Sequence, residues 1–581
     1  MCSNIFKAFK LKSNVTNVLK VKKLLWLNLN SYQTKRKTMK INFKTYKKVQ
    51  NLAVGFLMMS SVFGQAQTVS NEERPRIIIT ADPELDDSNS MIRFLLYSSD
   101  LDIDGLVYAS SAFHWKGDGK GTKWFVPSRE YSRFGTGICP CESWRWGEDE
   151  KFIHDAVDAY AKSYSNLKVH NPNYPSPEVL KSKIKYGNIE FDGDISKDSE
   201  GSDLIKKAIL DDKPGKLYVT AWGGLSTIAR ALKSIQEEFE NTTDWERIQA
   251  KVARKLVILP SGDQDDTYAS YIKPNWPKLD YREFVDGPNY GYTAPLKTTP
   301  ENTKYFSADW MKKNISNKGA LGELYRVWGD GKQMVKNDIV DFFGFSGVTA
   351  EELKKQGYKV WMPLQPKGSF LSEGDNFTFM NMLGNGLRSY ESGSYGGWGG
   401  IEPASKASSN MFFDNAADGN NSAEAMANSM ASKEKSEKEL AFPNFLPQAM
   451  NDFAARLTWS TTPTFSKANH EPVVKISGPT NIRSSAGEKV PLYGSVTDPD
   501  GNKVNVKWWQ FKQAGTYNGD VEISKSDSLN PEIIVPKTAK SGQTIHLILE
   551  ATDNGTPALT RYQRVIITVR YFQILSELKN K

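Results

Sequence analysis

Between residues 74 and 260 the apolar positions switch repeatedly between two spacings. "RIIIT" (76–80) is a short unbroken apolar run, as a strand buried on both faces requires. "SNSMIRFLLYSS" (88–99) places its apolar residues at helical spacing, and "LDIDGLVYA" (101–109) returns to a strand. "GKLYVTAWGG" (215–224) reads as strand then turn, "LSTIARALKSIQEEF" (225–239) as an amphipathic helix, and "ARKLVILPSG" (253–262) as strand and turn. This alternation predicts an α/β domain built on a mostly parallel sheet. In such sheets ligands collect at the carboxyl ends of the strands.

Two stretches interrupt the pattern. Residues 390–400, "YESGSYGGWGG", read as a Gly-rich loop; residues 404–440, poor in large apolar residues, read as a mobile surface insertion. "AFPNFLPQAMNDFAARLTW" (441–459) is again helical in spacing. From about Glu471 six short strand candidates follow: "EPVVKISG", "KVPLYGSVTD", "NVKWWQF", "PEIIVP", "TIHLILEATD" and "YQRVIITVRYF". Turns such as "DPDG" (498–501) and "NGTP" (554–557) separate them. They predict an all-β sandwich of roughly 100 residues. Trp508 and Trp509 would point to opposite faces of their strand, one into the core and one outward. The expected domains are 67–465 and 466–573.

Charge changes the picture of the amino terminus. The chain's 581 residues carry a formal charge of +8, yet residues 1–66 hold thirteen Lys or Arg and no Asp or Glu. The remainder has 62 basic against 67 acidic residues, so it gives no hint of a nucleic-acid partner. "MKINFKTYKKVQ" from Met39 reads as a basic n-region, "NLAVGFLMMSSVF" (51–63) as an apolar h-region, and "GQA" (64–66) as a cleavage site. The expectation is export to the periplasm or beyond the cell, with translation starting at Met39 and cleavage after Ala66; a short membrane anchor is the alternative. No other segment reads as membrane-spanning. Of three cysteines, Cys139 and Cys141 form "CPC", a disulfide or two idle thiols.

The candidate chemistry lies in "ITADPELDDSNS" (79–90), where Asp82, Asp86 and Asp87 crowd between a strand's end and a helix start near Ser88. Helix capping would explain one or two of these carboxylates. It does not explain Asp82, still at the strand's end. A cluster of hard oxygens suits Ca²⁺.

"PELDDSNSMIRFLLYSSDLDIDGLVYAS", "TAWGGLSTIARAL" (220–232), "SEGDNFTFMNMLGNGL" (372–387) and "NDFAAR" (451–456) occur in that order. Together they resemble the Ca²⁺-dependent inosine–uridine nucleoside hydrolases. The resemblance is nearer to a secreted subgroup of nucleoside-hydrolase-like, cellulose-binding proteins that end in an Ig-like domain. It implies Asp82 as metal ligand and general base, and Asp87 and Asp375 as carboxylate ligands. Trp222 would offer its main-chain carbonyl, and Asp86 would hold sugar hydroxyls. It also places Gln264 and Asp265 near the pocket, although a solvated loop explains that pair equally well.

The implied reaction is hydrolysis of an N-glycosidic, ribosyl or related glycosyl bond by a Ca²⁺-held water, with Asp82 taking its proton. The chain departs from the pattern at Thr80, where the first aspartate is expected, at Glu84, where a glycine is, and at Gly374, where a leaving-group histidine often stands. His114 is the best-placed substitute for that histidine, against a plainer reading as a solvated loop residue. Trp115, Trp124, Trp276 and Trp398 lie in predicted loops and could stack on sugars. The rival expectation is a non-catalytic cellulose- or plant-polysaccharide-binding protein on the same fold, with the sandwich as spacer or docking module.

Overall fold

The structure, a computed structural model, describes residues 74–127, 129–133, 137–403 and 442–570. The leader over 1–66 and the insertion over 404–440 lie outside the described residues. The described residues all fall within one compact unit.

The first half is an α/β layer structure. β1 (Arg76–Ala81), α1 (Leu85–Leu96) and β2 (Asp102–Tyr108) open it, followed by α2 (Phe152–His170), β3 (Ile184–Tyr186) and α3 (Glu200–Leu210). β4 (Leu217–Ala221), α4 (Ser226–Phe239), α5 (Trp245–Lys255), β5 (Leu256–Pro260) and β6 (Asp280–Tyr281) complete the sheet. Its strands run parallel in the order β3-β2-β1-β4-β5-β6. The unbroken apolar runs are explained by cover on both faces. Ile77 and Ile79 point into one core with α1 and α2, while Ile78 points into the other with α3 and α4. A fully buried Ile contributes about 1.5–3 kcal/mol. The chain grows outward from β1 to β3 on one side and from β4 to β6 on the other. A crevice therefore opens between the carboxyl ends of β1 and β4.

Two later helices matter for the site and the interface, α6 (Asn376–Met380) and α7 (Leu446–Thr461). The turn before α6 is fixed by polar residues of α1. Asn89 Nδ2 donates to Ser372 O at 2.9 Å, and Arg93 forms a buried ion pair with Glu373 at 2.6 Å. These bonds hold Asp375, at the N-cap of α6, opposite the end of β1.

The carboxyl-terminal part is an all-β sandwich. Its strands are β7 (Val473–Ile476), β8 (Asn481–Ser485), β9 (Lys489–Pro491), β10 (Gly494–Thr497) and β11 (Val504–Gln510). β12 (Ile523–Ser524), β13 (Glu532–Ile534), β14 (Thr544–Asp553) and β15 (Thr560–Arg570) follow. They form sheets ordered β11-β14-β15-β8, β12-β13-β9 and β10-β7. "KVPLYGSVTD" is two strands in different sheets, and β8 and β12 were not among the six candidates. "DPDG" is a β-turn closed by Gly501 N donating to Asp498 O at 3.3 Å.

The two central strands of the large sheet, β14 and β15, are buried on both faces. Leu547, Leu549, Val565 and Ile567 fill the sandwich core, while the alternate residues Ile548 and Tyr562 join the core of the α/β part. One tryptophan of the pair, Trp508, is core as expected, but the other, Trp509, does not face outward: it packs beside Phe445 and Phe511. The "NDFAAR" stretch lies in α7 and bridges the two parts. Buried Asp452 pairs with Arg456 at 3.0 Å and with Arg561 of β15 at 2.6 Å. The amides of Tyr562 and Arg564 donate to Asn385 O and Gly386 O at 2.8 and 3.2 Å. Gly386 takes φ +91°, and a Cβ there would lie 1.8 Å from Tyr562 O.

Candidate metal centre

Asp82 directly follows β1, whose last residue is Ala81, and is fully buried. One oxygen is held: Ser111 Oγ donates to Oδ2, and His114 Nδ1 lies 3.2 Å from it. The other, Oδ1, is buried with no hydrogen-bond partner. Gly223 leaves that oxygen room, since a Cβ there would stand 3.1 Å from Oδ1 and 2.9 Å from Cγ. His114 is not the solvated loop residue of the plainer reading. It is fully buried against Asp82, with its Nε2 unpartnered.

α1 begins three residues earlier than the spacing suggested, so Asp86 and Asp87 fall in its first turn. Neither caps it: the N-cap is Glu84, and no side chain makes a capping bond. Asp87 Oδ1 instead accepts from Asp82 N at 3.1 Å. Glu84 joins the acidic set. Its ligand atoms cluster within 4.8 Å with those of Asp82 and His114, and likewise with those of Asp86 and Asp87. Tyr292, which sequence reasoning missed, lies with its hydroxyl 3.4 Å from Glu84 Oε1 and 3.5 Å from Asp86 Oδ1. No local pattern marks it, because it arrives from a loop some two hundred residues away. Ser111, also missed, stood beside His114 in "SSAFH".

The carboxylates oppose one another electrostatically. Asp86 is pushed up to about 6, first by burial and then by the charge of Asp82. Burial, followed by the charges of Asp375, Asp82, Asp86 and Glu84, holds Asp87 well above the ordinary carboxylate range. Asp375 is raised likewise, by burial and then by Asp86 and Asp82. Its Oδ2 is a second buried oxygen without a partner. Two orphaned carboxylate oxygens among mutually repelling neighbours leave an uncompensated deficit of positive charge, which a cation would fill.

The remaining expected residues fall around this centre. Trp222 O, at the end of β4, accepts from Gln264 Nε2 at 2.6 Å and keeps a second lone pair. Gln264 thus reaches the centre's edge, with Oε1 unpartnered. Asp265 is occupied elsewhere. It accepts from Ser226 N at 2.8 Å and from Thr267 Oγ1 at 2.5 Å, fixing the start of α4. Thr80 donates to Thr220 O at 2.9 Å within the sheet, so no carboxylate stands there. At Gly374 a Cβ would lie 2.2 Å from Asp86 Oδ2, so a side chain there would displace that carboxylate. Trp115, Trp276 and Trp398 are buried and unavailable for sugar stacking; Trp124 is partly buried. Cys139 and Cys141 are disulfide-bonded.

The sequence matches a family described as cellulose-binding Sde182, nucleoside hydrolase-like domain, over residues 76–401. The chain belongs to that family. The Sde182 family's C-terminal domain, described as that of the cellulose-binding protein Sde0182, matches over 489–569. Among solved structures, a nucleoside hydrolase-related hypothetical protein from Saccharophagus degradans, associated with carbohydrate metabolism, is 24% identical with a TM-score of 0.59. That likeness covers 86% of this chain and all of the other, and it shows the fold. The type III effector XopQ, solved with adenosine diphosphate ribose, is 12% identical over 54% of this chain and 82% of its own. Its TM-score of 0.24 carries no argument. No curated protein matches. Among the described residues no helix is long and apolar enough to cross a membrane.

Proposed function

We propose that the chain is an exported Ca²⁺-binding glycosyl hydrolase of nucleoside-hydrolase type, acting on a ribosyl or related glycosyl bond. The observation that carries this is the pair of buried, unpartnered carboxylate oxygens, Asp82 Oδ1 and Asp375 Oδ2, at the crevice between β1 and β4. Asp82, Asp87 and Asp375 would hold the cation with the main-chain carbonyl of Trp222, an all-oxygen set suited to Ca²⁺. When bound, the cation lets these carboxylates ionise together and lowers the pKa of a water.

The chain's own residues supply the rest. Ser111 and His114 pin one oxygen of Asp82, so its free Oδ1 is fixed in direction and takes the water's proton. Asp86 and Glu84, partly open to solvent, face the sugar hydroxyls; the Tyr292 hydroxyl lies between them and can donate to either one. The ionised set stabilises the positive charge that develops on a sugar ring as its glycosidic bond breaks.

A second reading, polysaccharide binding without catalysis, is favoured by Gly374, which offers no side chain to a leaving group. The family's description points the same way. Calcium titration by calorimetry, followed by assay on nucleosides and p-nitrophenyl riboside, tests the proposal. Tight Ca²⁺ binding with turnover abolished in Asp82→Ala supports it. Ca²⁺ binding with no turnover and retention on insoluble cellulose supports the second reading. Absence of any divalent-cation binding removes both the metal centre and the reaction built on it.

A further inference from the structure

We propose that His170, His470 and Asp500 form a pH-sensitive latch between the α/β part and the sandwich. His170 ends α2, His470 lies between α7 and β7, and Asp500 sits in the turn between β10 and β11. Four groups stand in a row. His170 Nε2 is 2.7 Å from Thr462 O, His170 Nδ1 is 2.9 Å from His470 Nε2, and His470 Nδ1 is 3.0 Å from Asp500 Oδ1. The rings are walled by aromatic faces, with Phe465 stacked 3.6 Å from His470 and Trp459 5.6 Å from His170.

The proton count of this row decides its behaviour. Both ends are acceptors, a carbonyl and a carboxylate, so each outer nitrogen must carry a proton. The central contact between two nitrogens needs one more. Three links therefore require three protons on two rings, and two neutral imidazoles hold only two. One ring is an imidazolium when the latch is complete. Burial lowers the pKa of His170. The Asp500 carboxylate, 3.0 Å from His470 Nδ1, places the extra proton on the His470 ring. As pH rises through the histidine range, roughly 5 to 8, the row loses that proton and one link must break.

Among the described residues no other charge takes over the role of Asp500. Glu471 pairs with Arg561, and Asp553 accepts from Asn469, Gly555 and Leu559. Asp498 Oδ1 accepts from the amides of Asp500 and Asn502, Lys168 donates to Pro172 O, and Lys467 is exposed.

The count also predicts a variant that removes the switch. In Asp500→Asn the amide oxygen can accept from His470 N, which now donates to Oδ2 at 2.6 Å, while the amide nitrogen donates to His470 Nδ1. Two neutral rings then satisfy every link. The test is hydrogen–deuterium exchange of residues 462–472 in the full chain, corrected for intrinsic pH dependence, between about pH 5.5 and 8.5. Loss of one hydrogen bond predicts about a fivefold acceleration in the wild type and less than twofold in Asp500→Asn. Equal acceleration in both proteins, or none in the wild type, overturns the proposal. A second readout needs no variant. Nitrogen-15 spectra of the chain's five histidines should show His470 doubly protonated and His170 protonated at Nε2 below about pH 6. Two singly protonated rings there overturn it as well.

Discussion

Replacing Asp86 with Asn separates the repulsion within the acidic centre from its affinity for a cation. Asp86 lies at about 6 in the folded chain against a usual 3.8, with burial the larger cause and the charge of Asp82 the next. A raised folded pKa means that the unfolded chain ionises this group more readily. The penalty is therefore fully present above about pH 6 and vanishes below about pH 4. Two pKa units correspond to about 3 kcal/mol at pH 7, an order-of-magnitude figure because Asp82 shares the interaction. Asparagine is isosteric, removes the charge and keeps an acceptor for Ser372 Oγ, now 3.3 Å from Asp86 Oδ2. With an unfolding entropy of about 2 cal/mol/K per residue over the roughly 450 described residues, the metal-free melting temperature should rise by about 3 °C. The same substitution should shrink the further rise that Ca²⁺ produces, because the cation then neutralises less repulsion. Differential scanning fluorimetry at pH 7, with EDTA and with millimolar Ca²⁺, reads both changes; repeating it near pH 4 should erase the gain in EDTA. A variant that melts lower in EDTA, and that gains as much from Ca²⁺ as the wild type, would refute the electrostatic account.

Gly386→Ala should lower the melting temperature sharply, at about 3 kcal/mol or more. Its Cβ would overlap the backbone carbonyl of Tyr562, and its φ of +91° strains any other residue. Asp452→Ala removes the carboxylate shared by Arg456 and Arg561 in a buried setting and should destabilise the chain by about 3–5 kcal/mol in chemical denaturation. Gly374→His should not create a leaving-group donor. The crowding at Asp86 Oδ2 predicts lower stability and weaker Ca²⁺ binding in calorimetry, and no gain of riboside hydrolysis.

The sheet was legible because its central strands are buried on both faces, which forces apolar runs such as "RIIIT" that only a few arrangements satisfy. Asp82, Asp86 and Asp87 were legible as a crowded acidic group, since they follow a strand whose end is fixed in the sequence, whereas Asp375, at a helix start far along the chain, was reached only through the family resemblance. Glu84 was visible as a departure, but its direction was not, because only the fold shows that it turns toward Asp86 and Asp87. Tyr292 was invisible, coming from a loop whose path no periodicity encodes. His114 was misjudged in its plainer reading because loop residues are usually solvated. Here the loop folds back over the end of β1, so that Ser111 and His114 share one oxygen of Asp82. Trp509 was misjudged because alternation along a strand reports two faces and cannot say that the second is also covered.

That covered second face has a practical consequence for dissecting the molecule. A chain cut near residue 465 would bare Phe445 and the carbonyls of Asn385 and Gly386, and an isolated sandwich would bare Phe511, Ile548 and Tyr562. Either fragment would carry a fresh sticky surface, and its failure to retain a ligand would report aggregation rather than a missing contact. Assigning roles to the two parts therefore calls for point substitutions on their solvent-facing sides, such as Tyr493 and Ile534 of the sandwich, in an otherwise intact chain.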